Sequence, residues 1–253
     1  MRKWTIMALV AFGLITVVLP AAATTINLTG IIRDFTPALN NDFEAPLTGL
    51  VTGIVENTLG ADGKPVYAHG DSTYGSIHGR TNFNQWYNNT TNLMPYTITL
   101  SNSVENPDVY TYSSNAFFPI DNLLLGNYGS TGHNFHFTYE IHSQFTYIPG
   151  QIFNFTGDDD VWVFIDNQLV IDLGGIRAAR SASVNLDVLG LTAGNAYNFD
   201  FFYAERHTPN STLKIETSIL FDKPPDSIPE PTTLLLLGFG LVGLAGVMRK
   251  FKN

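Results

Sequence analysis

GDDDVWVFIDNQLVIDLGG, Gly157 to Gly175, decides the fold of this chain. Val161 to Ile165 and Gln168 to Asp172 are two strand-like runs separated by Asp166 and Asn167, residue types that tolerate positive φ, so the stretch predicts a β-hairpin with a two-residue turn. Setting Ile165 opposite Gln168 fixes a register: Phe164 faces Leu169, Val163 faces Val170, Trp162 faces Ile171 and Val161 faces Asp172. Asp158, Asp159 and Asp160 then lie at the mouth of the hairpin, opposite Leu173 to Gly175. Alternation of side chains puts Asp159 on one face with Val161 and Asp172. Three neighbouring carboxylates repel one another unless water solvates them, amides cap them or a cation holds them. Carboxylates beside the carbonyls of Gly174 and Gly175 are the ingredients of a calcium site, although the spacing is not that of an EF-hand.

Outward from the hairpin, period-two alternation recurs. HNFHFTYEIHSQFTY places His133, Phe135, Phe137, Tyr139, Ile141, Phe145 and Tyr147 on one parity and polar residues on the other, predicting one core face and one solvent face. Tyr197 to Glu205 reads as a second long strand. Ile26 to Ile32, Tyr96 to Leu100, Ile152 to Phe155 and Leu213 to Leu220 read as shorter ones. The body is expected to be all-β, a two-sheet antiparallel β-sandwich. The segment Asn40 to Asn92 alternates poorly, and its cluster Phe83, Trp86 and Tyr87 suggests loops and a short helix packed on the sandwich end.

Met1 to Ala23 has a basic start, an apolar run and a small-residue ending, the pattern of a signal peptide with its helix. At the other end Ile228-Pro229-Glu230-Pro231 precedes an apolar run of 17 residues, Thr232 to Met248, closed by Arg249, Lys250 and Lys252. This end resembles the PEP-CTERM sorting signal of Gram-negative bacteria. That resemblance implies an exosortase-type processing enzyme as partner and a hydrophobic helix, residues 232–253, that anchors the chain transiently in the inner membrane. The expected division is signal peptide 1–23, β-sandwich 24–223, Pro-rich tether 224–231 and hydrophobic helix with basic tail 232–253. The net charge of −9, more negative still without the basic ends, excludes nucleic acid as a partner bound through a basic face. With no cysteine there is neither a disulfide nor a thiolate ligand.

The motifs RDF (Arg33 to Phe35), DFE (Asp42 to Glu44), GKPVY (Gly63 to Tyr67), FNQWY (Phe83 to Tyr87), FFPID (Phe117 to Asp121), FTGDDDVWVFID, DLGG, SVNLD, LTAGNAY and FYAERHT resemble the fibro-slime domain over nearly the whole body. That domain is similar in turn to the protective-antigen-like β-sandwich. The likeness implies calcium on two of Asp158, Asp159 and Asp160, with sugar hydroxyls completing its shell. The local reading adds Asp172 from the register, Gly174 and Gly175 at the hairpin mouth, and Arg206 at the end of the Tyr197 strand to the expected ligand surroundings, with Arg177 after DLGG. Arg177 departs from the family, which often has histidine there.

Two other constellations point elsewhere. His136, Glu140 and His142 share a strand face, but His136 and Glu140 are ~13 Å apart along a strand, beyond one zinc ion, so a solvated polar face is expected. Glu205-Arg206-His207 reads as a salt-bridged strand end beside the binding loops. The expected function is an exported, cell-surface or extracellular, non-catalytic module that binds extracellular polysaccharide with calcium, in adhesion or biofilm matrix. The alternatives are a structural matrix protein without specific ligand, or a glycoside hydrolase, for which no motif places a second acid.

Overall fold

The computed structural model describes residues 23–222. The signal peptide, the Pro-rich tether from 224 and the C-terminal helix fall outside the described residues. The elements in chain order are β1 (Thr25–Asp34), β2 (Val55–Leu59), β3 (Pro65–Tyr67), α1 (Arg80–Asn88), β4 (Leu93–Ser101), β5 (Tyr110–Ser114), β6 (Phe137–Thr146), β7 (Ile152–Gly157), β8 (Asp160–Ile165), β9 (Gln168–Leu173), β10 (Arg180–Asn185), β11 (Ala196–Glu205) and β12 (Leu213–Thr217). All pairings between these strands are antiparallel. The two layers expected of a sandwich are halves of one curled twelve-stranded sheet, ordered β10-β7-β12-β5-β4-β1-β6-β11-β8-β9-β2-β3. Among the described residues no helix is long and apolar enough to cross a membrane.

The inner faces of both halves enclose the main core. Phe153 and Phe155 of β7 meet Phe199 and Phe201 of β11 with ring centroids 5.0 and 5.6 Å apart. The predicted parity of β6 holds on this side, where Phe137, Tyr139, Ile141 and Phe145 are all buried. On its other side the expectation of a solvent face is overturned for half the strand: Asn134, His136, Thr138 and Glu140 are buried too. The cause is a second core. Phe83, Trp86 and Tyr87 occupy one face of α1 at helical spacing and pack on Trp162, Phe164, Phe202 and Ala204, the outward residues of β8 and β11. The Asn40–Asn92 segment therefore covers the outer face of the central strands rather than the sandwich end, with Tyr87 edge-on to Phe202 at 5.0 Å.

The β8–β9 hairpin forms as expected, with Asp166 and Asn167 both at positive φ, 50° and 65°. The predicted register holds for Ile165 with Gln168 and Phe164 with Leu169. A β-bulge then intervenes, so that Val163 faces Ile171, Trp162 faces Asp172 and Val161 faces Leu173. The one-residue slip carries Asp172 to the face of Trp162, away from Val161. There its carboxylate accepts from Trp162 Nε1 at 3.1 Å and from the Gly53 amide at 2.7 Å.

The glycine doublet has a packing role. A Cβ on Gly174 would stand 2.5 Å from Val51 O and 2.7 Å from Ile54 Cδ1, and one on Gly175, at φ +96°, 2.3 Å from Gly49 O. Gly174 O, one of the carbonyls read as an ingredient of a calcium site, accepts from the Val51 amide at 2.9 Å. Gly174→Ala should lower the unfolding free energy by about 1–3 kcal/mol through overpacking, measured as a shift of the urea midpoint at unchanged m-value.

Candidate functional site

The three carboxylates that the sequence singles out do meet at one corner, where β7 ends and β8 begins, with Asp159 at φ 53°. None of them faces solvent: Asp158 is 4 %, Asp159 3 % and Asp160 0 % exposed. Each is engaged by N–H donors. Asp158 Oδ1 accepts from the Thr212 amide at 2.6 Å. Asp159 accepts from the amides of Arg177 and Arg206 at 3.2 and 2.7 Å. Asp160 accepts from the Gly175 amide at 2.7 Å and pairs with Arg206 Nε at 2.5 Å.

Arg206 is fully buried and reaches in three directions. Besides Asp160, its Nη1 donates to the carbonyl of Asp42 at 3.0 Å, and its guanidinium lies 4.8 Å from the centroid of the Trp86 ring. It thereby ties the end of β11 to the start of β8 and to the covering layer. Arg177 donates to the carbonyls of Gly157 and Leu173 at 2.7 and 2.9 Å, fastening the mouth of the hairpin. Glu205, read from the sequence as part of a strand-end ion pair, instead points inward and accepts from Tyr203 Oη at 2.9 Å.

Four buried carboxylates, Asp158, Asp159, Asp160 and Glu205, thus face two guanidinium groups, those of Arg177 and Arg206. The surplus of negative charge is felt by its members. Burial pushes Asp158 up, and pushes Asp159 up despite the opposing charge of Arg206. Burial and then the charges of Asp159 and Asp158 hold Glu205 well above the usual carboxylate range. In donor chemistry the corner suits a hard divalent cation, being oxygen-only and short of positive charge. Among the described residues no three His, Asp or Glu side chains converge as a ready metal cluster. A cation at the corner would therefore share Asp158, Asp159 and Asp160 with their N–H donors through the remaining lone pairs and take backbone carbonyls besides.

The remaining partners come from parts of the chain that spacing could not connect to the hairpin. Asp42 is buried and accepts from the His78 amide and ring, both at 2.8 Å. Glu44 accepts from Thr208 Oγ1 at 2.9 Å and pairs with His136 at the same distance. Only the DFE motif flagged these two acids.

The His136, Glu140 and His142 face carries ion pairs, two of its three members being buried, rather than the solvated polar side chains expected. Glu140 is buried between Arg33 at 3.0 Å and Lys64 at 2.6 Å, and His142 Nδ1 lies 2.6 Å from Asp200. Burial alone would raise Glu140, yet hydrogen bonds from His142 and Lys64 and the charge of Arg33 bring it down to about 2. Burial alone would lower His142, yet hydrogen bonds to Asp200 and Glu140 lift it to about 9, with solvent screening the half-exposed ring.

Two outcomes follow from this geometry. Arg206→Met leaves Asp160 buried without its counter-charge and should cost about 3–5 kcal/mol in urea unfolding. Arg206→Lys recovers little of that, because a point charge cannot serve Asp160 and Asp42 O together. The network should also shape stability against pH. Glu140 stabilises fully above its unfolded value of 4.5 and loses this as pH falls toward 2. His142 stabilises fully below its unfolded value of 6.5 and loses this as pH rises through 9. Thermal midpoints should show the contribution greatest between pH 4.5 and 6.5, with the acid limb flattened in Glu140→Gln and the alkaline limb in Asp200→Asn.

Sequence relatives share much of this chain. It is 43% identical over 239 residues to protein psiR of Dictyostelium discoideum, covering 88% of this chain and 24% of psiR. It is 47% identical over 211 residues to psiQ of the same organism, covering 77% and 21%. For psiC the identity is 43% over 213 residues, covering 78% and 41%. The chain thus spans less than half the length of each of these relatives. Among solved structures it is similar to the PA14 domain of the MpAFP antifreeze protein, with TM-score 0.32 and 12% identity, covering 48% of this chain and 80% of that one. It is also similar to the PA14 sugar-binding domain from an RTX adhesin, with TM-score 0.29 and 13% identity, covering 46% and 75%. The carboxylate corner, β6 to β12 and the Arg206 strand end all fall within one matched unit: a PA14 domain is found over residues 127–231 of this chain, and a PEP-CTERM protein-sorting motif over residues 227–250.

Proposed function

We propose that this protein is an exported, surface-associated, non-catalytic module that binds extracellular polysaccharide in adhesion or biofilm matrix, with calcium at the Asp158 to Asp160 corner. The observation that carries the reading is the match of a PA14 domain to the part of the chain that builds the corner; the same domain name is borne by the sugar-binding domain of an RTX adhesin. The PEP-CTERM motif indicates export and processing at the membrane by an exosortase-type enzyme, which suits a Gram-negative cell surface. The fibro-slime likeness, read from motifs along the whole body, is part of this proposal, as is the transient anchoring of the 232–253 segment in the inner membrane.

Calcium is supported by charge. With all four ionised, the buried carboxylates against two guanidinium groups carry the deficit that one divalent ion cancels, an ion that would take the place of the protons burial otherwise favours on Asp159 and Glu205, and all the acids are hard oxygen donors. In this reading Asp158, Asp159 and Asp160 hold the ion, and the Gly174 and Gly175 backbone together with Arg177 and Arg206 fixes the loops around it. Asp172, tied to Trp162 and Gly53, supports the hairpin from its other face.

Calorimetric titration of the metal-free protein should give saturable calcium binding in the wild type and at least tenfold weaker binding in Asp159→Asn. A glycan array should give signals that a chelator weakens. No calcium heat in the wild type overturns the metal assignment, and an array silent with and without calcium overturns polysaccharide binding. Chelation that lowers the melting temperature without any glycan signal would leave a structural matrix protein.

A further inference from the structure

The carboxylate corner is sealed beneath its own loops, so a ligand that the protein holds in its resting shape has to lie elsewhere. The polar half of the sheet offers such a place. Across the outward faces of β5, β12, β7 and β10 runs an open groove of about 500 Å³, within the size range of ligand-binding clefts. Its floor is built by strand register. One row across the four strands is Ser113, Lys214, Thr156 and Ser181. The next is Thr111, Glu216, Asn154 and Ser183. Inner-facing neighbours on the same strands, such as Phe155 and Ile215, belong to the core and hold the floor rigid.

Three properties of this floor select a ligand. Its charge is balanced: a single lysine and a single glutamate stand among hydroxyls and an amide, on a chain whose net charge is −9. A neutral floor gives a polyanion or a polycation little electrostatic attraction. Its polar groups are also pre-positioned by one another, since Asn154 Nδ2 donates to Glu216 Oε1 at 3.0 Å, Ser183 Oγ donates to Asn154 Oδ1 at 2.5 Å, and Thr156 and Ser181 hydroxyls are 2.8 Å apart. Each of these groups keeps further donor or acceptor capacity, so the floor can both give and accept hydrogen bonds, as sugar hydroxyls do. Finally, four strands spaced at ~4.8 Å give a row ~14 Å long, which suits several linked sugar units better than one.

The groove also reaches the corner. Thr156 lies two residues before Asp158, Gly157 pairs with both Arg180 and Leu213, and the Thr212 amide holds Asp158. We infer that the outer face of β5, β12, β7 and β10 is the binding groove for an extended neutral polysaccharide chain, with its upper end at the Asp158 corner. This rests on the polysaccharide-binding reading and names where and in what form the ligand lies.

Affinity electrophoresis of the whole protein through gels containing soluble neutral glucans, mannan or galactan, with polygalacturonate as the anionic control, tests the inference. Asn154→Ala and Ser183→Tyr change exposed or half-exposed side chains, and their melting temperatures check folding. The wild type should be retarded by at least one neutral glycan, with affinity rising from mono- to tetrasaccharide competitors, and both groove variants should lose at least tenfold. Retardation that persists in both variants but disappears in Asp159→Asn overturns the groove and leaves the polysaccharide reading intact. Retardation by the polyanion alone overturns the groove assignment, as does glycan-independent self-association abolished by the groove variants. A wild type retarded by no glycan removes the polysaccharide reading and the groove with it.

Discussion

A guanidinium buried against carboxylates is the interaction on which this structure turns. Arg206 stands where β11 leaves the sheet, and no water-exposed surface remains to it. Its bond to Asp160 joins the two central strands at their ends, its bond to Asp42 O draws the covering layer down, and Trp86 lies against its face. Taking such charges out of water costs several kcal/mol per ion, so the arrangement holds only because amides and carbonyls from four segments complete it. The acids remain in excess even so. That imbalance, not the mere presence of three aspartates in a row, is the chemical argument for a cation.

The same corner marks the boundary between two different uses of one sheet. In β11 and β8 both faces are apolar at their middles, because one lines the core between the curled halves and the other receives α1 and its loops, whereas the covered outer face of β6 carries the buried polar residues Thr138 and Glu140. In β5, β12, β7 and β10 only the inner face is apolar, and the outer one carries hydroxyl and amide side chains. Among the described residues the sheet is covered on one half and bare on the other, and the bare half offers an open surface on which to meet a partner. Here that surface is neutral on a strongly acidic chain, which sets the class of molecule it suits.

The hairpin shows how a small irregularity redistributes roles. Without the bulge, Asp172 would share a face with Val161 and stand near Asp159. With it, the carboxylate turns to Trp162 and Gly53 and becomes a strut for the covering layer. The glycines after it serve close approach of the 48–54 segment, whose backbone atoms occupy the space a Cβ would need. The mouth of the hairpin is thus closed by backbone rather than left open to solvent.

Local chemistry was enough to read the β-hairpin, its Asp166–Asn167 turn, the core parity of β6, the strand β11 and the acidic corner as a unit, since each follows from strand period and turn propensity over a few residues. The DFE motif was legible as a feature without a place, and the Phe83, Trp86, Tyr87 cluster was legible as a packed helix but assigned to the sandwich end instead of the outer face of β8 and β11. What only the tertiary structure decided was the partnering. The one-residue bulge leaves no mark in the alternation of β9. The burial of Glu140 and His136 depends on a layer contributed by residues 40–92. The charge balance of the corner depends on Arg206, Glu205 and Thr212, about fifty residues further along the chain. Periodicity reports which way a side chain points, but whether it meets water, a carbonyl or a counter-charge is set by segments that folding brings from far away.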